Sequence, residues 1–166
     1  NYAITYAAGA LAIDPARLTV TAEDKRRGYG AADPRLTARY DGFVLGQDAG
    51  DLGGALSLTT DARPASDVGT YRIAASGLTS RNYAITYAAG ALAIDPARLT
   101  VTPEGRREYG SADADLDVRV AGFVLGQGLD DLGGTLTYDT PARIDSEAGS
   151  YLLTTDGLTS RNYAIS

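Results

Sequence analysis

The chain contains no cysteine, histidine, methionine or tryptophan. Without cysteine there can be no disulfide framework, so a stable fold must rely on packing alone. Without cysteine or histidine there is no Cys/His zinc site and no Ser-His-Asp or Cys-His nucleophilic pair. No apolar run approaches the roughly 20 residues that a helix needs to cross a bilayer, so no transmembrane segment is expected. Positive charge is also scarce: 15 lysines and arginines face 21 aspartates and glutamates, a net charge of -6. That balance argues against nucleic acid as a partner, because a phosphate backbone calls for a basic surface. The one concentrated basic run, Lys25-Arg26-Arg27, reads as a solvated strand edge or turn where charge discourages edge-to-edge pairing. A nucleic-acid or heparin patch is the functional alternative for it. An initiator methionine and a charged-then-apolar leader are missing too, which suggests a segment of something longer.

What the chain does contain is repetition. Residues 1–21, "NYAITYAAGALAIDPARLTVT", return letter for letter at residues 82–102, and "NYAIS" begins the run again at Asn162. Aligning Arg17 with Arg98 superimposes the remainder at a period of about 80 residues, with one residue lost ahead of Tyr109. Such a period is too long for the solenoid repeats of roughly 20 to 50 residues, so each copy should be a small domain. Apolar positions mostly stay apolar between copies while polar ones drift, as in Thr37 to Asp117 and Ala22 to Pro103. Charge drifts as well, since residues 17–97 are neutral in sum whereas residues 98–166 hold most of the acidic excess. A surface that varies so much between neighbours is a poor place for a charged active site.

Alternation at period 2 is the main local signal. Leu18 and Val20 alternate with Thr19 and Thr21, and Leu116, Val118 and Val120 with Asp117 and Arg119. Leu56 with Leu58, Tyr71 with Ile73, Tyr83 with Ile85 and Tyr87, and Leu92 with Ile94 continue it. The pattern predicts about six short strands per module and a mostly β class. At residues 46–52 and 126–132 a single helical turn is predicted, with Gln47-Asp48 as the N-cap region and Gly53-Gly54 as the stop.

The ordered landmarks are "LTVTA", "YG" at Tyr29-Gly30, "ADP" at 32–34, "GFVLG" at 42–46, "LGGAL" at 52–56, "VGTY" at 68–71, "SGLTSRNYAI" at 76–85 and "GALAI" at 90–94. This set resembles the bacterial MBG domain family of the YGX type, and the resemblance covers the first module and the second as far as it runs. The resemblance implies small β-rich modules, β-grasp-like with at most one short helix each, used in tandem on surface-exposed or secreted proteins such as filamentous-haemagglutinin-like adhesins. An immunoglobulin-like β-sandwich is the alternative architecture. The family carries no catalytic residues to transfer. The second copy departs from its pattern at Ala114, where Pro34 stands in the first, which affects the rigidity of one turn.

Gly30 and Gly110 suit a positive φ after a strand. Tyr29 and Tyr109 can lay a ring over the core edge with the hydroxyl in water, while a glycan-stacking platform is their functional alternative. The acidic pairs Asp48 with Asp51, Asp113 with Asp115, and Asp130-Asp131 are read as solvated turns. A glycosidase would need two carboxylates facing each other across a cleft, and Asp113-Ala114-Asp115 replaces Asp33-Pro34-Arg35 between copies. Calcium is the alternative for these acids, but neither the EF-hand spacing nor the glycine-rich nonapeptide repeat is present. No catalytic, cofactor-binding or metal-ligating residue is assigned, and no enzymatic activity or cofactor is expected.

Residues 1–14 read as closing strands that belong to a preceding module, residues 15–95 as a complete module, and residues 96–166 as a second module without its closing strand. Between the modules lies only Asp95-Pro96-Ala97, a proline-stiffened connection unlike a Gly/Ser tether. The expected function is a stalk or spacer repeat of an extracellular bacterial adhesin that projects a distal binding region from the cell surface. The alternative is that the modules themselves bind host glycan or protein, through exposed residues kept in both copies: Thr79, Ser80, Arg81 and Asn82, matched by Thr159, Ser160, Arg161 and Asn162. Neighbouring modules are the expected partners. Strand exchange between chains, with residues 1–14 closing the second module of another copy, is expected to follow from the missing strand.

Overall fold

A computed structural model describes residues 1–112 and 114–166. The first repeat supplies β1 (Ala16–Ala22), β2 (Lys25–Gly28), β3 (Ala38–Asp41), β4 (Gly53–Thr60), β5 (Gly69–Thr79), β6 (Tyr83–Ala88) and β7 (Gly90–Asp95). The second supplies β8 (Ala97–Arg106), β9 (Asp115–Ala121), β10 (Gly133–Asp139), β11 (Thr154–Thr159) and β12 (Tyr163–Ile165). All of the strands expected from alternation are present. Each repeat also has one 3-10 turn of three residues, Ala49–Asp51 and Leu129–Asp131. Its first N-cap is Asp48, and the turn closes at Leu52, one residue ahead of the glycine pair.

The chain divides into two compact units, neither of which is a continuous stretch. The first is made of Asn1–Glu23, Leu36–Thr60 and Arg72–Ala91. Within it β1 is the middle strand of a mixed sheet, antiparallel to β3 and parallel to β6. Thr19 pairs with Asp41 on one side and Thr86 on the other. The alternation of β1 does what the sequence suggests. Leu18 and Val20 are fully buried with Tyr83, and Phe43, Leu52, Leu56, Leu78 and Ile85 pack on them. On the opposite face Thr19 and Thr86 bring their hydroxyls to 3.3 Å. A second layer is the antiparallel pair β4–β5, whose register shifts between Gly54 and Ser57.

The second unit gathers Asp24–Arg35, Asp61–Tyr71 and Leu92–Ser166. Its mixed sheet repeats the design, with β8 between antiparallel β9 and parallel β12, and β10 pairs with β11. It also holds β2 paired in parallel with residues 92–95 of β7, Lys25 opposite Leu92 and Gly28 opposite Asp95. Leu92, Ile94 and Leu99 are buried in it together with Tyr29, Ala62 and Tyr163. The parallel pairs β1–β6, β2–β7 and β8–β12 distinguish the fold from an immunoglobulin-like sandwich, which is built of antiparallel sheets. Residues 1–15 form no strand, and Tyr2, Ile4, Tyr6, Leu11 and Ile13 are exposed.

Candidate functional site

The second unit contains the point where one repeat meets the next. β7 ends at Asp95 and β8 starts at Ala97, so Pro96 alone separates them. The proline ring fixes φ, and the residue has no N–H to leave unpaired. Both flanks are tied down. Tyr29 N–H donates to the Asp95 carbonyl at 2.8 Å, and Ala97 N–H to the Asn162 carbonyl at 3.0 Å. Arg26 grips the Asp95 carboxylate with two bonds of 2.8 and 3.0 Å.

The second repeat presents a strained turn to this junction. In the segment "FVLGQ" Gln127 N–H donates to the Val124 carbonyl, and both central residues have positive φ, 57° at Leu125 and 72° at Gly126. Two positive φ values mark a type I′ turn, which glycine and asparagine favour and leucine does not. Leu45 in the first repeat has the same φ of 57°. The tyrosine that opens β12, and its counterpart that opens β6, hold the turns in place. Tyr163 Oη donates to Gln127 Oε1 at 2.6 Å and accepts from Val124 N–H at 3.1 Å, and Tyr83 makes the same bonds to Gln47 and Val44. A leucine held in the left-handed region costs about 1–2 kcal/mol, and strain of this kind persists where the surroundings over-determine it.

Tyr29 and Gly30 of the first repeat receive that turn. The Tyr29 ring meets Tyr163 edge-on at 5.6 Å and is only 5% exposed. Tyr163 in turn meets Phe123 edge-on at 5.6 Å. Gly30 has φ of 76°, and a Cβ there would lie 2.6 Å from Val124 Cγ2, so the close approach and the backbone both demand glycine. Beside them Asn162 bridges outward. Its Oδ1 accepts from Val68 N–H at 3.0 Å and its Nδ2 donates to Asp67 Oδ1 at 2.8 Å, with Arg161 3.9 Å from the same carboxylate. Of the residues kept in both copies, Ser80 and Ser160 are half-buried and bond within their own turns. Each serine Oγ accepts from the N–H groups two and three residues further on, those of Asn82 and Tyr83 or of Asn162 and Tyr163. Asn162 makes a contact with the other repeat.

The basic run is taken up structurally, and one of its members is not solvated. Arg27 is 7% exposed, with Nε 2.6 Å from Asp33 and a guanidinium bond to the Arg63 carbonyl. Arg107 reaches the Arg143 carbonyl in the same way. The acidic pairs serve the 3-10 turns. Asp48 accepts from Gly50 N–H at 2.7 Å, Asp51 from Asp48 N–H at 2.8 Å and Asp131 from Gly128 N–H at 2.7 Å. Asp115 begins β9 opposite Arg106, and Asp113 lies outside the described residues. Among the described residues no three carboxylates converge on one point.

The two copies of the Tyr-Gly pair differ in one respect. Gly110 has φ of 77°, almost the same as Gly30, yet nothing lies within 4 Å of the Cβ it lacks. Tyr109 is 74% exposed where Tyr29 is buried. Sequence reasoning identified the pair and its backbone but not the turn that fills it, because nothing in "FVLGQ" marks a leucine for left-handed backbone.

No characterised protein and no solved structure matches the chain. A family model, the MBG domain of the YGX type, matches it twice in tandem, over residues 18–93 and 99–166. The two matches fall on the two repeats and span the Tyr-Gly pair and the turn of each. The chain belongs to the family of YGX-type MBG domains and carries two of them in series.

Proposed function

We propose that the repeats are spacer modules of a bacterial surface adhesin, and that they project a distal binding region outside the cell. The repeat boundary carries this reading. Pro96 lies inside a single compact unit, with Tyr29, Gly30 and Asp67 of one repeat bonded or packed against Tyr163, Val124 and Asn162 of the next. A connection secured in this way ties β2 and the end of one repeat to the start of the next, as a flexible tether does not. Tandem modules at residues 15–95 and 96–166 then give length by duplication. Asp48, Asp51 and Asp131 cap their own turns and Asp33 and Asp95 pair with arginines, which supports a mechanical role for them.

Small-angle scattering on arrays of two and four repeats tests this. The maximum dimension is expected to grow by a constant increment per repeat. An eight-residue Gly/Ser insertion at Pro96 is expected to abolish that constancy. Growth with the square root of repeat number in the unmodified array would reject the spacer reading. Saturable glycan or host-protein binding, lost on Tyr109→Ala with the fold intact, would support the alternative that the modules themselves bind.

A further inference from the structure

We propose that each repeat is a load-bearing element, in which tension along the chain is taken in shear by parallel strand ladders. This deepens the spacer reading, on which it rests for the source of the tension. In the first compact unit the chain enters β1 at Ala16 and leaves β6 at Ala88. The two strands are parallel, with Ala16 opposite Tyr83 and Thr21 opposite Ala88. The entry and exit points therefore lie at opposite ends of a ladder of six pairs. A pull on the chain drives the two strands past each other along their length, and the main-chain bonds between them must fail together. An antiparallel hairpin has its two ends side by side, so the same pull would peel it one pair at a time.

Side chains oppose sliding as well. β1 is the middle strand of its sheet and is held by β3 on its other edge. Leu18 and Val20 are fully buried on one face of β1, with Thr19 and Thr21 on the other. A slip of one residue exchanges the two faces of a strand, which would carry both apolar side chains out of the core. On the outer face Thr86 Oγ donates to the Leu18 carbonyl at 3.4 Å and lies 3.3 Å from Thr19 Oγ, so hydroxyls also bridge the loaded ladder.

A second ladder stands behind the first. β1 runs on through Glu23 and Asp24 into β2, which is parallel to β7 with Lys25 opposite Leu92 and Gly28 opposite Asp95. Tension that passes along β1 reaches β2 at Lys25, whereas the chain leaves β7 at Asp95 for Pro96 and β8. These points again lie at opposite ends of a parallel ladder, here of four pairs. Its exit end is reinforced. Arg26 holds the Asp95 carboxylate by two bonds, and Tyr29 N–H donates to the Asp95 carbonyl. The second repeat restates the first ladder, with β8 and β12 parallel from Ala97–Tyr163 to Leu99–Ile165.

Single-molecule pulling on the whole chain tests the proposal, because a protein without cysteine accepts handles at any chosen pair of thiols. Asp14→Cys with Ala89→Cys places the handles at opposite ends of the β1–β6 ladder and loads it in shear. Asp14→Cys with Arg81→Cys places both at the end where Ala16 faces Tyr83 and peels the same ladder. All three positions are exposed, so the circular dichroism of both variants is expected to match that of the parent. At one loading rate the shear pair is expected to unfold at a force at least about twofold that of the peeling pair. Equal forces, or a higher force for the peeling pair, overturn the proposal. The scattering increment per repeat reports on the spacer reading separately. Constant increments with equal forces reject the shear ladders and keep the spacer, while the expected force ratio without constant increments supports the ladders and rejects the spacer.

Discussion

Replacing Gly30 with alanine probes the junction at its closest contact, and Gly110 supplies a matched control. The two glycines have φ of 76° and 77°, so alanine meets the same backbone penalty at both. That penalty is about 1–2 kcal/mol for an L-residue in the left-handed region. At Gly110 nothing else is touched. At Gly30 the new methyl would sit 2.6 Å from Val124 Cγ2 and 2.8 Å from Val124 Cβ. Over-packing of this kind adds about 1–3 kcal/mol, because Val124 must move against the turn that Tyr163 holds. The expected losses are therefore about 1–2 kcal/mol for Gly110→Ala and about 2–5 kcal/mol for Gly30→Ala. In urea, with a slope of about 2 kcal/mol per molar, the extra loss lowers the midpoint by roughly 0.5–1.5 M. Equal shifts for the two variants would refute the argument that the Tyr-Gly pair is packed by the neighbouring repeat.

Tyr163→Phe keeps the ring and loses the bonds to Gln127 and Val124, an expected cost of about 1 kcal/mol by denaturant titration; Tyr163→Ala also removes the partner of Tyr29 and Phe123 and should cost about 3–5 kcal/mol. Asn162→Ala breaks the bridge to Asp67 and Val68 and should lose about 1 kcal/mol. Asn82→Ala, at the same point of the first repeat but without that bridge, should stay within about 0.5 kcal/mol of the parent chain. Asp33→Ala strips the partner from buried Arg27, for which about 3 kcal/mol is expected in thermal unfolding. Arg26→Ala removes only the exposed pair with Asp95 and should cost under about 1 kcal/mol, less at high salt.

The strands were legible because burial on one face writes itself as alternation, and Leu18 with Val20 or Leu92 with Ile94 could hardly be read otherwise. The single turn near Asp48 was legible for a similar reason, since its acids cap their own backbone. Strand partners were not. Nothing local in "ARLTVTA" tells that Ala16 pairs with Tyr83 and runs parallel to it, because parallel pairing needs a crossover and leaves no turn signature. The short strand β2 was read as a charged edge or turn. Its arginines are polar by type, and only the placement of Asp33 and Asp95 turns them into a buried pair and a clamp. The junction was half legible. Gly30 announced its backbone, but Tyr29 and Tyr109 are the same dipeptide in different surroundings, and surroundings come from the neighbour. Leu125 was invisible, as its φ opposes the preference of its residue type.

The bond between Val68 and Asn162 joins residues 94 positions apart. Contacts of such separation form late and slow the chain that depends on them. During synthesis the amino-terminal part emerges first, so Tyr29 and Asp67 have to wait uncovered until the strand that starts at Tyr163 has been made. A repeat in such an array is therefore finished by its successor. Folding proceeds as a wave that trails the growing chain by one module, and at any instant the newest module is the one exposed to proteases and to mispairing.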